Sequence, residues 1–182
     1  MRLLIVACML YACGGSDDGS TGGGDDGSNT GSNTGSNTGS NMGSGNLTAK
    51  EFCVSETNRY RAMESHAALT EKTNLETYAD TGAQTDYDAN SPHMHFSSTS
   101  GGGIAFAENE CPGHSGWHLS NGEDMNTLVG QCVAAFYSEG PGSDYSTHGH
   151  YINMMNDSYH SLGCGIYQAA NGDVTIVQDY GQ

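Results

Sequence analysis

The chain is 182 residues long with a formal net charge of −16, from 5 Lys+Arg against 21 Asp+Glu. That balance disfavours a nucleic-acid partner, whose phosphates need clustered Lys and Arg, and excludes docking on an anionic membrane through a basic face. Only 35% of the residues are hydrophobic and 27 are Gly, which is lean for a globular protein, but the composition is uneven along the chain.

Met1 to Ala12 is Arg2 followed by an apolar run too short to cross a bilayer, the pattern of a secretory signal peptide. Leu10-Tyr11-Ala12-Cys13 resembles a bacterial lipobox. Residues 1–12 are therefore expected to be a lipoprotein signal peptide and Cys13 the lipidated residue, with that lipid as the only membrane attachment. Cys8 is the rival, but cleavage there would leave Met9-Leu10-Tyr11 on the mature chain. By resemblance to bacterial lipoproteins, Gly14 after the cysteine favours the outer membrane. The expected location is the cell envelope, as an outer-membrane lipoprotein or a secreted protein.

Residues 14–46 hold 12 of the 27 Gly in 33 positions, with a Gly-Ser-Asn-Thr repeat beginning at Gly27. Nothing there can bury an apolar face and offset the entropy of ordering. Residues 13–46 are read as a disordered tether with a reach of roughly 30 Å.

The remaining 136 residues, 47–182, carry 4 Lys+Arg and 17 Asp+Glu, a net of −13. A chain of that length can fold alone, burying about two-thirds of its unfolded surface. Thr48 and Glu51 form a capping box, which predicts a helix running to about Met63. Leu75, Tyr78, Ala79 and Ala83 predict a second helix over 74–87. The strongest periodicity spans 121–138, where Met125, Leu128, Val129, Cys132, Val133, Phe136 and Tyr137 repeat at helical spacing behind Ser120 and Glu123. Gly140-Pro141-Gly142 stops it. The apolar runs 162–167 and 174–177 flank Asn171-Gly172, a hairpin signal. Helices first and strands last predict an α+β domain with a small antiparallel sheet.

Cys53, Cys111, Cys132 and Cys164 are an even set in an exported domain, which argues for two disulfides in one of three pairings. None is spaced Cys-x-x-Cys, so a zinc–thiolate site is not expected. All eight His lie in this domain, and His93/His95 and His148/His150 are spaced His-x-His; on a strand that spacing would bring both rings to one face, as metal sites require. Glu108 follows the apolar Ile104-Ala105-Phe106-Ala107, a setting that can desolvate it. Glu139 ends a helix where the dipole disfavours an anion, which calls for a specific partner or full exposure.

Gly149-His150-Tyr151-Ile152-Asn153-Met154 followed by Leu162-Gly163-Cys164-Gly165 resembles the signature of the CAP superfamily, which comprises cysteine-rich secretory proteins, antigen 5 and pathogenesis-related 1 proteins (SCP domains). Asn58-Arg59-Tyr60-Arg61 resembles the family's first-helix motif, Ala107-Glu108-Asn109 its Gly-Glu-Asn and Phe136-Tyr137-Ser138-Glu139 its Trp-x-x-Glu. Val177-Gln178-Asp179-Tyr180 stands where the family has Cys-Asn-Tyr. The resemblance covers essentially all of 47–182. It implies an α-β-α sandwich around a small central antiparallel sheet, with a cavity lined by two His and two Glu. Carried over by motif, these are Glu108, Glu139, His150 and, from the segment before Ala107, His93, with His95 as the alternative. Such a tetrad can hold a divalent metal such as zinc with a position left for water. Cys111–Cys132 and Cys53–Cys164 are the favoured disulfides, Cys53 lying on the first helix and Cys164 on a central strand.

The sequence departs from the pattern at Ile152-Asn153, at Phe136 and in the absence of a Trp near 157. The expected function is a non-enzymatic surface module that binds a divalent metal or a small or lipid ligand. No Gly-x-Ser-x-Gly is present and the cysteines are expected to be paired, so no nucleophile stands out. The alternatives are a metal-dependent, peptidase-like hydrolase using Glu108 or Glu139 as base, and a protein–protein interaction module at the envelope.

Overall fold

The structure, a computed structural model, describes residues 47–182; the signal segment, Cys13 and the tether lie outside the described residues. Thr48 opens α1 (Ala49–Met63) with the expected capping box: its side chain accepts the Glu51 N–H while Glu51 reaches back to the Thr48 N–H. A two-residue strand β1 (Thr70–Glu71) leads into α2 (Thr73–Ala89). A short helix α3 (Met94–Thr99) precedes β2 (Ala107–Cys111), and α4 (Met125–Ser138) and α5 (Tyr145–Met155) follow. The chain ends in the hairpin of β3 (Ser161–Gln168) and β4 (Val174–Gly181).

The sheet order is β1-β3-β4-β2. The β3–β4 and β4–β2 ladders are antiparallel, but β1 joins β3 in parallel, so the sheet is mixed. The exposed Thr-Glu pair of β1 carries no alternation by which a sequence could mark it as a strand. Helix α2 packs on one face of the sheet, and α1, α4 and α5 on the other. Covered on both sides, all eight residues of β4 are buried. This is the expected α-β-α sandwich.

Alternation sorts the strands. Leu162, Cys164, Val174, Ile176 and Tyr180 join α1 and α4 in the main core, whereas Val177 meets Ala79 and Ala83 of α2 in a smaller one. Gly163 and Gly165 face α2, and a Cβ on either would enter the α2 backbone near Leu75–Glu76 and Ala79–Asp80. Their lack of a side chain is what lets α2 lie on the sheet. Arg61, with 1% exposure, donates to the carbonyls of Ala67, Met154 and Asn156, while Asn58 takes both backbone groups of Leu69. The first-helix motif thus ties α1 to the segment entering β1 and to the end of α5. The disulfides are Cys53–Cys164, from α1 to β3, and Cys111–Cys132, from β2 to α4.

Helix α4 begins at Met125 rather than 121. Glu123 does take the Ser120 N–H, but the bond closes an isolated turn and Asp124 is the residue before the helix. The two His-x-His pairs lie at or in helices, not on strands. Residues two apart on a helix point to nearly opposite sides, so each pair is split.

Candidate functional site

Strand β2 alternates Ala107, Asn109 and Cys111 toward α5 and α4 with Glu108 and Glu110 toward α2. Asn109 donates from Nδ2 to the carbonyl of His150 at 3.1 Å and accepts from Asn153 at 3.0 Å, which fixes α5 against the strand. A cleft of about 480 Å³ opens at this edge of the sheet, with His93 and Glu108 on one side and Glu139 and His150 on the other. Its lips are aromatic: Phe106 is 52% and Tyr145 59% exposed.

The first pair is set by an unusual backbone. His93 has φ 60°, a conformation costly for a residue with a side chain, just before α3. The Glu110 Oε2 accepts its N–H at 2.7 Å, and its Nδ1 lies 2.8 Å from Glu108 Oε1. Glu108's side chain is 1% exposed against 40% for His93. Burial on its own lowers the His93 pKa, but the bond to Glu108 and the charges of Glu108, Glu110 and Asp86 outweigh it and raise the value.

The second pair lies at the α4–α5 corner. Glu139 caps α4, and the unfavourable end of the dipole is answered by a specific partner: its Oε1 lies 2.5 Å from His150 Nδ1 and its Oε2 accepts the His150 N–H at 2.8 Å. Phe136 stacks on the His150 ring with centroids 4.7 Å apart. In both pairs a carboxylate engages Nδ1, and neither Nε2 has a protein partner among the described residues. A ring held this way offers Nε2 to a metal or a substrate.

The other candidate histidines turn elsewhere. His95 lies against Tyr78 of α2 with centroids 4.6 Å apart, its N–H donating to Asp86 Oδ1 at 2.6 Å, and it does not line the cleft. His148 points back to the carbonyls of Glu139 and Gly140.

A group that the motif reading did not single out lies between the sheet and α2. Asp86, Glu108, Glu110 and Asp179 are all buried, and no Lys or Arg forms an ion pair with any of them among the described residues. Burial, backed by the charge of Glu108, pushes the Asp179 carboxyl up to about 9; burial lifts Glu110 to about 7 and raises Asp86. Asp86 Oδ2, Glu108 Oε2, both Asp179 oxygens and His95 Nε2 are buried without a hydrogen-bond partner. Among the described residues, His93, Glu108 and Glu110 are the group whose donor atoms all lie within 4.8 Å of one another. The Glu-x-Glu spacing on a strand was the available signal for Glu110; Asp86 and Asp179 join it only through tertiary packing.

The chain belongs to the cysteine-rich secretory protein (CAP) family, whose model matches residues 54–180. Solved structures share the fold at low identity. NaASP2, in its crystal structure with Zn2+, is 18% identical over 73% of this chain and 78% of its own, with a TM-score of 0.55. BmVAL-1 is 18% identical over 76% and 80%, with a TM-score of 0.54. Na-ASP-1 is 16% identical and has a TM-score of 0.56; the match covers 84% of this chain but 43% of that one. No curated protein sequence matches the chain.

Proposed function

We propose that this chain is an exported, non-enzymatic binding module, held at the cell envelope through a lipid on Cys13, whose cleft takes a divalent metal or a small or lipid ligand. The observation that carries the reading is the pair of carboxylate-held imidazoles, His93–Glu108 and His150–Glu139, facing one cleft with Nε2 uncommitted. The aromatic lips at Phe106 and Tyr145 supply apolar surface for an organic ligand. The zinc in the NaASP2 structure supports a metal on this fold, and two disulfides suit an oxidising compartment. Calorimetric titration of the full chain with Zn2+ tests the metal: saturable binding that disappears in His93→Ala is expected, and its absence in the wild type overturns that part of the reading.

Metal-dependent hydrolysis is the second reading, with Glu108 or Glu139 as base, supported by the two carboxylates lining the same cleft as the two histidines. It requires turnover that is lost in Glu108→Gln or in Glu139→Gln while metal binding persists.

A further inference from the structure

We propose that a small pocket between the end of α2 and the turn after β2 binds a guanidinium group, carried by a free small molecule or by an arginine side chain of a partner polypeptide. The pocket has a volume of about 90 Å³ and shares no lining residue with the cleft. The inference therefore does not depend on what the cleft holds.

Asp86 and Glu110 both line this pocket. They accept N–H groups two residues apart on one segment: Asp86 Oδ1 takes that of His95 at 2.6 Å, and Glu110 Oε2 takes that of His93 at 2.7 Å. The two carboxylates are therefore neighbours, each with its second oxygen left over. Asp86 is 2% exposed, and its Oδ2 is buried with no hydrogen-bond partner, an acceptor of a kind that native interiors seldom leave unsatisfied. Glu110 is buried as well, and among the described residues neither carboxylate forms an ion pair with a Lys or Arg. Adjoining buried anions without a counter-charge are costly, and a cation entering the pocket relieves that cost. The net charge of −13 over 47–182 draws cations toward the domain. The walls select the kind of cation. Tyr87, Pro92 and Pro112 stand beside the carboxylates. Such flanks suit a flat, weakly hydrated guanidinium better than a compact, strongly hydrated ammonium, and forked donors can meet both carboxylates at once. The mouth is open at the exposed Asn90, Ser91 and Ser115, so a side chain can reach in from outside.

The test is calorimetric titration of the full chain, disulfides intact, with ethylguanidinium and with the peptide acetyl-Gly-Arg-Gly-amide. The same peptide with citrulline in place of arginine keeps the shape and lacks the charge. Saturable binding of both guanidinium probes is expected, with the citrulline peptide at least about tenfold weaker than its arginine counterpart. Asp86→Asn and Glu110→Gln should each weaken the arginine peptide by about tenfold or more, whereas Glu139→Gln and His150→Ala in the cleft should stay within about threefold. A peptide that binds more tightly than ethylguanidinium supports the inference with a polypeptide as the source, and equal affinities support it with a free guanidinium compound. Dissociation constants above about 10 mM for both probes, equal binding of the arginine and citrulline peptides, or affinity unchanged in both pocket variants overturns it. Amide shifts of the 15N-labelled wild type give a readout independent of how the variants fold. Addition of the arginine peptide should move the signals of Ser91 and Ser115, and shifts confined to Ser146 and Gly149 at the cleft overturn the inference.

Discussion

Glu108 and Asp179 stand directly opposite each other on β2 and β4, both buried and both on the face covered by α2. Two facing carboxylates out of water cannot both ionise cheaply, and burial together with Glu108's charge holds the Asp179 proton up to about pH 9. The unfolded chain releases that proton near the ordinary value of 3.8. Asp179 therefore favours the fold fully below about pH 4, and the contribution is lost as pH rises toward 9. Asp179→Asn, which restores the amide found in the family's Cys-Asn-Tyr strand, should remove this slope. In EDTA-treated protein the variant should melt several degrees above the wild type at pH 7, for about 1–3 kcal/mol, and level with it at pH 4. Thermal melts from pH 4 to 9 check this; a constant difference across the range would show that the proton on Asp179 is not responsible.

Gly163 and Gly165 let α2 lie directly on β3. The neighbouring atoms are backbone, which cannot rotate away, so Gly165→Ala should cost about 3 kcal/mol or more and Gly163→Ala a similar amount. Urea titration reads both. Gly130→Ala is the control: its Cβ would meet only the edge of the Phe52 ring at ordinary contact distance, and in the interior of α4 it should be neutral or stabilising.

Arg61 is buried with its guanidinium spread over three carbonyls on two segments. A lysine has the charge but not the fork, so Arg61→Lys should destabilise by about 2–4 kcal/mol, and Arg61→Met should be no better because the carbonyls lose their donors. Denaturant midpoints at constant m-value would establish the loss.

Removing Cys111–Cys132 by paired alanine substitution should cost about 3 kcal/mol for its 21-residue separation, and removing Cys53–Cys164 about 4–5 kcal/mol for its separation of 111. Urea titration under non-reducing conditions measures the two losses. The first bond joins the strand that carries Glu108 to the helix that ends at Glu139. Its loss should also weaken whatever ligand needs both carboxylates, which titration of the paired variant with Zn2+ would detect.

The fold was legible where local chemistry is decisive. The Thr48–Glu51 box started α1 where it starts, and the periodicity of 125–137 is α4, buried along the stripe Leu128, Val129, Cys132, Val133 and Phe136. The Asn171-Gly172 signal falls in the connection between β3 and β4. Helix α5 was not legible as a helix, because Gly149 and the polar 145–150 stretch weaken its apolar stripe; it is held by Asn109 and Asn153 rather than by propensity. At the cleft, the charge of Glu139 at the end of α4 left a specific partner and plain exposure both open in the sequence; the contact with His150 is of the first kind. Nothing in the spacing chose between His93 and His95; the left-handed backbone at His93 turns its ring to Glu108 and leaves His95 to α2. Asp86 was hidden for a different reason: it reads as one more polar helical residue until α2 is laid on β2 and β4.

Each histidine of the cleft is wedded to the glutamate of its own half of the fold, His93 to Glu108 through the β2 edge and His150 to Glu139 within the α4–α5 corner. The cleft therefore behaves as a vice with two preassembled jaws. Asn109 on β2, bonded to the His150 carbonyl and to Asn153, and the Cys111–Cys132 bridge from β2 to α4 clamp both jaws to one strand, so the width of the gap is set when the fold forms.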